Sequence, residues 1–348
     1  MVRYERYVAQ AELLSPLKNF EPDSQPIEHR VDPLMGFTSV VRTGRKFWQA
    51  LYNTDEKLLQ ELVESSRGRC FFCPEKVASA TPLFPKDFIP EGRLVVGEAV
   101  VFPNLFAHKE FSAIAVFTRD HYLPLDGFTP GVLLGGFRAA VEYIRRVHEK
   151  YRARYAEIGW NYLFTGGASI IHPHFQVILS RLPYYLIKEM DWRARKHLEE
   201  YGVSFWEEYL EEEKKQGKRY LGAIGDTEWF CPFAPTREDE VNAVVRGRSN
   251  FLELKGADWE ALAEGLARVL RFYREKGLSS VNMALYSGPL GERSPHLWAG
   301  LKIVSRTSAQ ATPVNDVWYS SNLLMDGFVT DPSEDLAGEI RKYFGPGD

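Results

Sequence analysis

The sequence predicts an α+β fold in which one β-β-α-β-β unit occurs twice, each copy an antiparallel sheet with a helix packed on it. Three observations carry this. Two stretches far apart in the chain show the same order of strand, Pro-containing loop, strand, amphipathic helix and two further strands, and both end on Ser-Arg (Ser180-Arg181 and Ser305-Arg306). Each helical segment repeats its apolar residues at three- and four-residue steps. With 45% hydrophobic and 14% aromatic residues over 348 positions, the chain can bury an extensive core.

In the first copy the strands fall at about 99–103 and 111–118, separated by Pro103-Asn104-Leu105-Phe106. Its helix carries Leu133, Phe137, Val141, Ile144, Val147 and Tyr151, and strands at 160–165 and 174–180 follow. The second copy places strands at 228–231 and 241–246 around Pro232-Phe233-Ala234-Pro235. Its helix carries Trp259, Leu262, Leu266, Val269, Leu270 and Tyr273, and its last strands lie at 281–287 and 297–304. The chain divides accordingly into an N-terminal segment (1–97), a first repeat (98–183), a connector (184–226) and a second repeat with a C-terminal tail (227–348). The N-terminal segment, with prolines at 16, 22, 26, 33, 74, 82, 85 and 90, reads as loop-rich and is expected to wrap the repeats. The connector reads as helical, with the run Glu211-Glu212-Glu213-Lys214-Lys215 as a solvated face.

Charge and composition exclude several functions. A net charge of -4 without a dense Lys/Arg block argues against a nucleic-acid partner and for a small molecule. No apolar run approaches the roughly 20 residues of a membrane span, and the N-terminus lacks a signal-like apolar stretch, so a cytoplasmic protein is expected. Of the three cysteines, Cys70 and Cys73 stand at metal-ligand spacing and Cys231 is alone.

The chemistry concentrates in His172-Pro173-His174-Phe175-Gln176, preceded by Thr165-Gly166-Gly167-Ala168-Ser169. On a strand, His172, His174 and Gln176 share one face, opposite Phe175 and Val177. The Gly-rich turn before them can aim backbone N–H groups from Gly167, Ala168 and Ser169 at phosphate oxygens. Aligning the repeats on Ser-Arg sets Leu297, Ala299 and Leu301 against His172, His174 and Gln176, and Asn250 against His121, so only the first copy keeps the chemistry. Cys70, Cys73, His121 and His172 make a two-sulfur, two-nitrogen set suited to tetrahedral zinc in a closed structural site, the alternative being a buried, reduced cysteine pair under Phe71 and Phe72.

The His172-to-Gln176 motif, with Asn161 and Gly167-x-Ser169 upstream, resembles the active-site motif of galactose-1-phosphate uridylyltransferases, in the nucleotidyltransferase branch of the histidine triad superfamily. Asp32-Pro33-Leu34-Met35-Gly36, the basic-aromatic stretch from Arg42 to Trp48, Cys70-x-x-Cys73, Phe102-Pro103-Asn104 and His121 extend the resemblance over most of the chain. It implies a duplicated histidine-triad-like fold and UMP exchange between UDP-glucose and galactose 1-phosphate by ping-pong chemistry. His174 is implied as the nucleophile, Gln176 as the amide on its phosphate, and Cys70, Cys73, His121 and His172 as zinc ligands. Asn104, Asn161 and Ser169 fall where the family contacts the nucleotide sugar, with Arg42, Arg45 or Lys46 supplying positive charge. A homodimer is implied as well. Because Leu297 and Ala299 stand where family members often carry second-site histidines, with His296 out of register, no second metal is expected. The C-terminal stretch from Asn322 to Asp331 matches only loosely, which leaves the acceptor open.

Gln176 bears on the reaction type, since an amide cannot serve as a general acid near neutral pH whereas a third histidine can. That favours transfer with a phosphate leaving group over hydrolysis. The competing readings are an adenylyl-transferring relative (a diadenosine tetraphosphate or ADP-sugar phosphorylase) and a non-catalytic nucleotide- or zinc-binding module.

Overall fold

The computed structural model describes residues 1–42, 53–311, 315–317 and 319–345. Fourteen strands are described: β1 (Arg6–Ser15), β2 (Glu21–Val31), β3 (Thr38–Val41), β4 (Leu94–Val96), β5 (Ala99–Pro103), β6 (Phe111–Val116), β7 (Tyr155–Tyr162), β8 (His174–Ser180), β9 (Tyr220–Ile224), β10 (Thr227–Phe230), β11 (Val241–Val245), β12 (Ser280–Tyr286), β13 (Gly300–Arg306) and β14 (Gly327–Val329). The helices are α1 (Glu56–Arg67), α2 (Pro74–Ala80), α3 (Pro130–Tyr151), α4 (Tyr185–Tyr201), α5 (Phe205–Gln216), α6 (Gly256–Glu275), α7 (Tyr319–Leu323) and α8 (Ser333–Ile340).

The fold is α+β with the expected duplication, and the sheet order proves the point. A ten-stranded sheet runs β4-β5-β6-β8-β7-β12-β13-β11-β10-β9. Taken outward from its centre, each half has its fourth strand between its third and second, so β5-β6-β8-β7 mirrors β10-β11-β13-β12. The halves join through β7 and β12, antiparallel from Val281↔Tyr162 to Tyr286↔Glu157. On one face α3 and α6 cover the sheet, because Phe175, Val177 and Leu179 of β8, Ile158 and Trp160 of β7, and Val281 and Met283 of β12 all point into a common core with them. The close approach needs glycine: a Cβ at Gly136 of α3 would lie 2.6 Å from the Phe175 ring, and one at Gly265 of α6 would lie 2.2 Å from Trp229.

The opposite face is shared. Over the second half, α4 and α5 pack Ile187, Met190, Trp206 and Tyr209 against Phe230, Val244 and Tyr286. Over the first half Phe72 and the two cysteines beside it pack on Phe102, Ile114 and Val116, and next to them lies the cavity that His174, Gln176 and Asn161 line.

Two expectations need correction. Residues 1–97 are not loop-rich throughout, because β1 and β2 pair over ten residues from Arg6↔Arg30 to Ser15↔Glu21. Pro22 and Pro26 fit this hairpin because, among the described residues, β2 meets β3 only from Glu28 to Val31 and has a neighbour on one side alone at both prolines. The Glu211-to-Lys215 run is not wholly a solvated face. Glu213 is fully buried and bonds Arg219 at 2.8 Å, while Lys214 reaches the buried Glu228 at 2.7 Å. The connector is a pair of helices broken at Gly202, which caps α4 at φ 72°, followed by β9 at the edge of the large sheet.

Candidate active site and metal centre

β8 begins at His174, so His172 lies outside the strand and does not share its face. His174 and Gln176 line a cavity of about 550 Å³ with Phe72, Phe102, Asn104, Phe106, Asn161, Gly167 and Ser169. His172 turns instead towards the cysteines. The expected convergence of three polar groups is therefore a convergence of two, with the third set among residues that could hold a metal ion.

The ligand set is compact. One donor atom from each of Cys70, Cys73, His121 and His172 lies within 4.8 Å of all the others, and the four residues are buried, so they could hold a metal ion. His172 Nδ1 stands 3.8 Å from Cys70 Sγ and 3.6 Å from Cys73 Sγ, and His121 Nδ1 stands 3.3 Å from Cys73 Sγ. The outward nitrogens are also held: His172 Nε2 by the Thr118 carbonyl at 2.9 Å and His121 Nε2 by Ser66 Oγ at 2.9 Å. Such second contacts fix which nitrogen faces a metal. Burial, with Cys70 alongside, pushes the Cys73 thiol up to about 12, and burial pulls His172 down to about 4. In the second half, Leu297 and Ala299 are buried apolar residues, and His296 Nε2 bonds Asp191 Oδ1 of α4 at 2.9 Å.

His174 is oriented by its own segment. Its Nδ1 lies 2.7 Å from the His172 carbonyl, so Nδ1 carries the proton and Nε2 is left as a free lone pair. Burial lowers its pKa, which keeps the ring neutral. The Phe72 ring meets it edge-on with centroids 5.1 Å apart. Phe72 and Phe102 both line the cavity, a place that neither the motif containing Phe102 nor the position of Phe72 beside the cysteines assigns to them.

The Gly-rich turn departs from expectation. Gly167 N bonds Phe164 O and Ala168 N bonds Leu163 O, both at 3.0 Å, so two of the three expected amides are spent within the turn. These two amides are not available to a phosphate, and Ala168 lines a neighbouring cavity rather than the one that holds Gly167, Ser169 and His174. The turn fits β12 closely, for a Cβ on Gly166 would lie 2.8 Å from the Val281 carbonyl. Asn104 closes the β5–β6 hairpin, its Oδ1 accepting from Phe106 N at 3.1 Å. Arg42 lies elsewhere, with Nη2 on Gln25 Oε1 at 2.6 Å in the four-stranded sheet of β1, β2, β3 and β14, and it does not line the cavity. Arg45 and Lys46 fall outside the described residues.

Glu157 was not foreseen. It sits on the face of β7 away from the core, two residues before Gly159, which pairs with Gln176. Its Oε2 is buried with no hydrogen-bond partner among the described residues, and burial raises its pKa to about 8. A raised folded pKa makes ionisation work against the fold. Its penalty is absent below the ordinary value of 4.5, grows as pH rises towards about 8 and then levels off. Glu157→Gln is therefore expected to raise the thermal midpoint relative to the parent increasingly between these limits, and thermal scans from pH 4 to 9 showing a constant difference would contradict it.

No protein-family profile matches the chain. An uncharacterised protein of Archaeoglobus fulgidus is 33% identical over 288 residues, covering 82% of this chain and 84% of its own length. The chain belongs to the family of that archaeal protein. The family's fold has solved counterparts. A galt-like protein of Arabidopsis thaliana superposes with a TM-score of 0.68 at 17% identity, covering 91% of this chain and 99% of the other. An ADP-glucose phosphorylase from the same plant, with bound ADP-glucose, gives 0.67 at 16% identity and the same coverage. A uridylyltransferase gives 0.64 at 18% identity over 91% of this chain and 98% of its own. These likenesses establish the fold. No helix among the described residues is long and apolar enough to cross a membrane.

Proposed function

We propose that the protein is a nucleotidyltransferase that moves UMP between UDP-glucose and galactose 1-phosphate through a covalent uridylyl-His174 intermediate. The observation that carries this reading is the His174 ring, its Nδ1 proton fixed by the His172 carbonyl so that Nε2 is the nucleophilic nitrogen, on a face that also presents Gln176 and Asn161. In the first step Nε2 attacks the α-phosphorus, the bond from that phosphorus to the bridging oxygen breaks, and glucose 1-phosphate leaves with the electron pair. The Nδ1 proton stays in place on the His172 carbonyl and stabilises the imidazolium of the adduct. In the second step a phosphate oxygen of galactose 1-phosphate attacks the same phosphorus, releasing His174 and forming UDP-galactose. Neither leaving group needs a proton near neutral pH, which suits a site whose third polar residue is Gln176 rather than histidine. The rings of Phe72, Phe102 and Phe106 supply stacking walls for the base, and the Asn104 turn closes that end of the cavity.

The metal in this reading is zinc, held by Cys70, Cys73, His121 and His172. Tetrahedral zinc with ordinary Zn–S and Zn–N bonds sets sulfur and nitrogen ligands about 3.6 Å apart. The three sulfur–nitrogen separations of 3.3, 3.6 and 3.8 Å bracket that value. With four protein ligands the ion offers charge to ionise the two thiols and a rigid anchor, and the reaction is left to the residues of β7 and β8.

Incubation with UDP-glucose labelled in the α-phosphate, followed by denaturation, tests the proposal. Acid-labile label on the protein that galactose 1-phosphate removes supports it, whereas label from ADP-glucose alone would make the enzyme an adenylyl-transferring one. Gln176→Ala is expected to slow both half-reactions by about 10²-fold while the adduct still forms, as for loss of a donor to developing charge. Rapid-quench rates of each half-reaction check this, and an unchanged rate in either would remove Gln176 from the phosphate.

A further inference from the structure

Asn161 can serve a nucleotide only if the correct end of its amide faces the cavity, and an isolated amide has no fixed preference. The second repeat removes the ambiguity. Asn282 of β12 lies directly opposite Asn161 of β7 in the seam between the two halves. Its Nδ2 is 2.7 Å from Asn161 Oδ1 and 2.7 Å from the Gly166 carbonyl, and its Oδ1 accepts from Arg306 Nη1. Arg306 is gripped by Asp316, with Nε on Oδ2 and Nη2 on Oδ1, both at 2.6 Å.

Every polarity in this chain is forced from its far end. A guanidinium can only donate, so the Asn282 atom against Arg306 is the oxygen; a carbonyl can only accept, so the Asn282 atom against Gly166 is the nitrogen. A nitrogen that donates to Asn161 requires the Asn161 oxygen to face it. The Asn161 NH2 is then left for the cavity that this residue lines.

Building on the transfer reading above, we propose that Asn282 is a positioning residue. Backed by Arg306 and Asp316, it holds Asn161 with its amide N–H groups towards the nucleotide, where they donate to a phosphate or sugar oxygen. The repeat that has lost the histidines thus retains a part in the reaction. Asn282 also ties the turn at Gly166 to β12, so the test must separate orientation of Asn161 from support of that turn.

Single-turnover labelling of the protein by UDP-glucose, with ADP-glucose alongside, does so in four forms: parent, Asn161→Ala, Asn282→Asp and the double variant. An aspartate keeps the size of Asn282 but sets an oxygen against both Asn161 Oδ1 and the Gly166 carbonyl. Each single variant is expected to raise the half-saturating nucleotide concentration about tenfold or more, with a smaller change in the maximal labelling rate. The double variant is expected to be no worse than Asn161→Ala alone, because residues acting through one contact are not additive. Arg306→Met, which leaves β12 untouched, should reproduce the effect and likewise lose it in the Asn161→Ala background, and it decides the matter if Asn282→Asp does not fold. Losses that multiply in the double variants, or an Asn282→Asp form that labels like the parent, overturn the relay while leaving the transfer reading intact. If neither nucleotide labels the parent protein, the transfer reading fails, and the relay fails with it.

Discussion

His174→Gly is expected to abolish turnover, by at least about 10⁴-fold, and to remove the covalent label, while the thermal midpoint moves little. The scale follows from deleting the only group that bonds to phosphorus, the kind of loss seen when a covalent nucleophile is removed. The small stability effect follows from what His174 touches. Its ring is buried, but on the sheet face opposite the core in which Phe175 and Val177 of the same strand are packed. Its one polar bond is to the carbonyl two residues back, and the edge-on contact with Phe72 is the main packing lost. Steady-state rates, the label assay and a thermal scan on one preparation check the three parts together. A variant that still transfers the nucleotidyl group at the parental rate would place the chemistry on another residue.

Stripping the metal with a strong chelator under reducing conditions is expected to lower the thermal midpoint by about 5–10 °C and to slow label formation. Structural zinc contributes several kcal/mol to the folds it closes, and in a chain of this size each kcal/mol moves the midpoint by about 2 °C or less. Without a cation the buried Cys73 thiol, at about 12, stays protonated near neutral pH, so nothing but weak sulfur contacts ties Cys70 and Cys73 to the two histidines. The effect on chemistry has a direct route, because His172, whose ring belongs to the quartet that could hold the metal, also presents the carbonyl that orients His174. Elemental analysis before and after chelation gives the stoichiometry, with one zinc per chain expected. Cys73→Ser should behave like the chelated protein. A protein free of metal as purified, with an unaltered midpoint on chelation, would return the quartet to a reduced cysteine pair beside two histidines.

The repeats were legible because amphipathic periodicity is a local property: the helices holding Phe137 and Leu266 and the strands holding Phe175 and Met283 announce their inward faces within a few residues. The four clustered ligands were legible because their residue types have one common chemistry, although the chain positions span from Cys70 to His172. What escaped depended on register and on distant partners. The prolines of β2 hid a ten-residue hairpin, since their tolerance turns on which strand lies alongside. The glycine turn resembled a phosphate cradle, yet its Gly167 and Ala168 amides close the turn itself on Phe164 and Leu163. Asn282 carried no signal, because its role exists only through the pairing of β12 with β7. Glu213 looked like part of a wet charged run, yet Arg219 and the helix pair bury it completely.

The seam between β7 and β12 also shapes how the chain reaches its native state. Tyr162 and Val281 must find each other across more than a hundred residues, so closing the sheet costs chain entropy that no local contact repays in advance. Refolding should therefore be slow and should end with this pairing. Until it forms, the histidine-bearing half exposes the edge of β7 as a template for other chains, and a ribosome-bound chain that has not yet emitted β12 faces the same hazard.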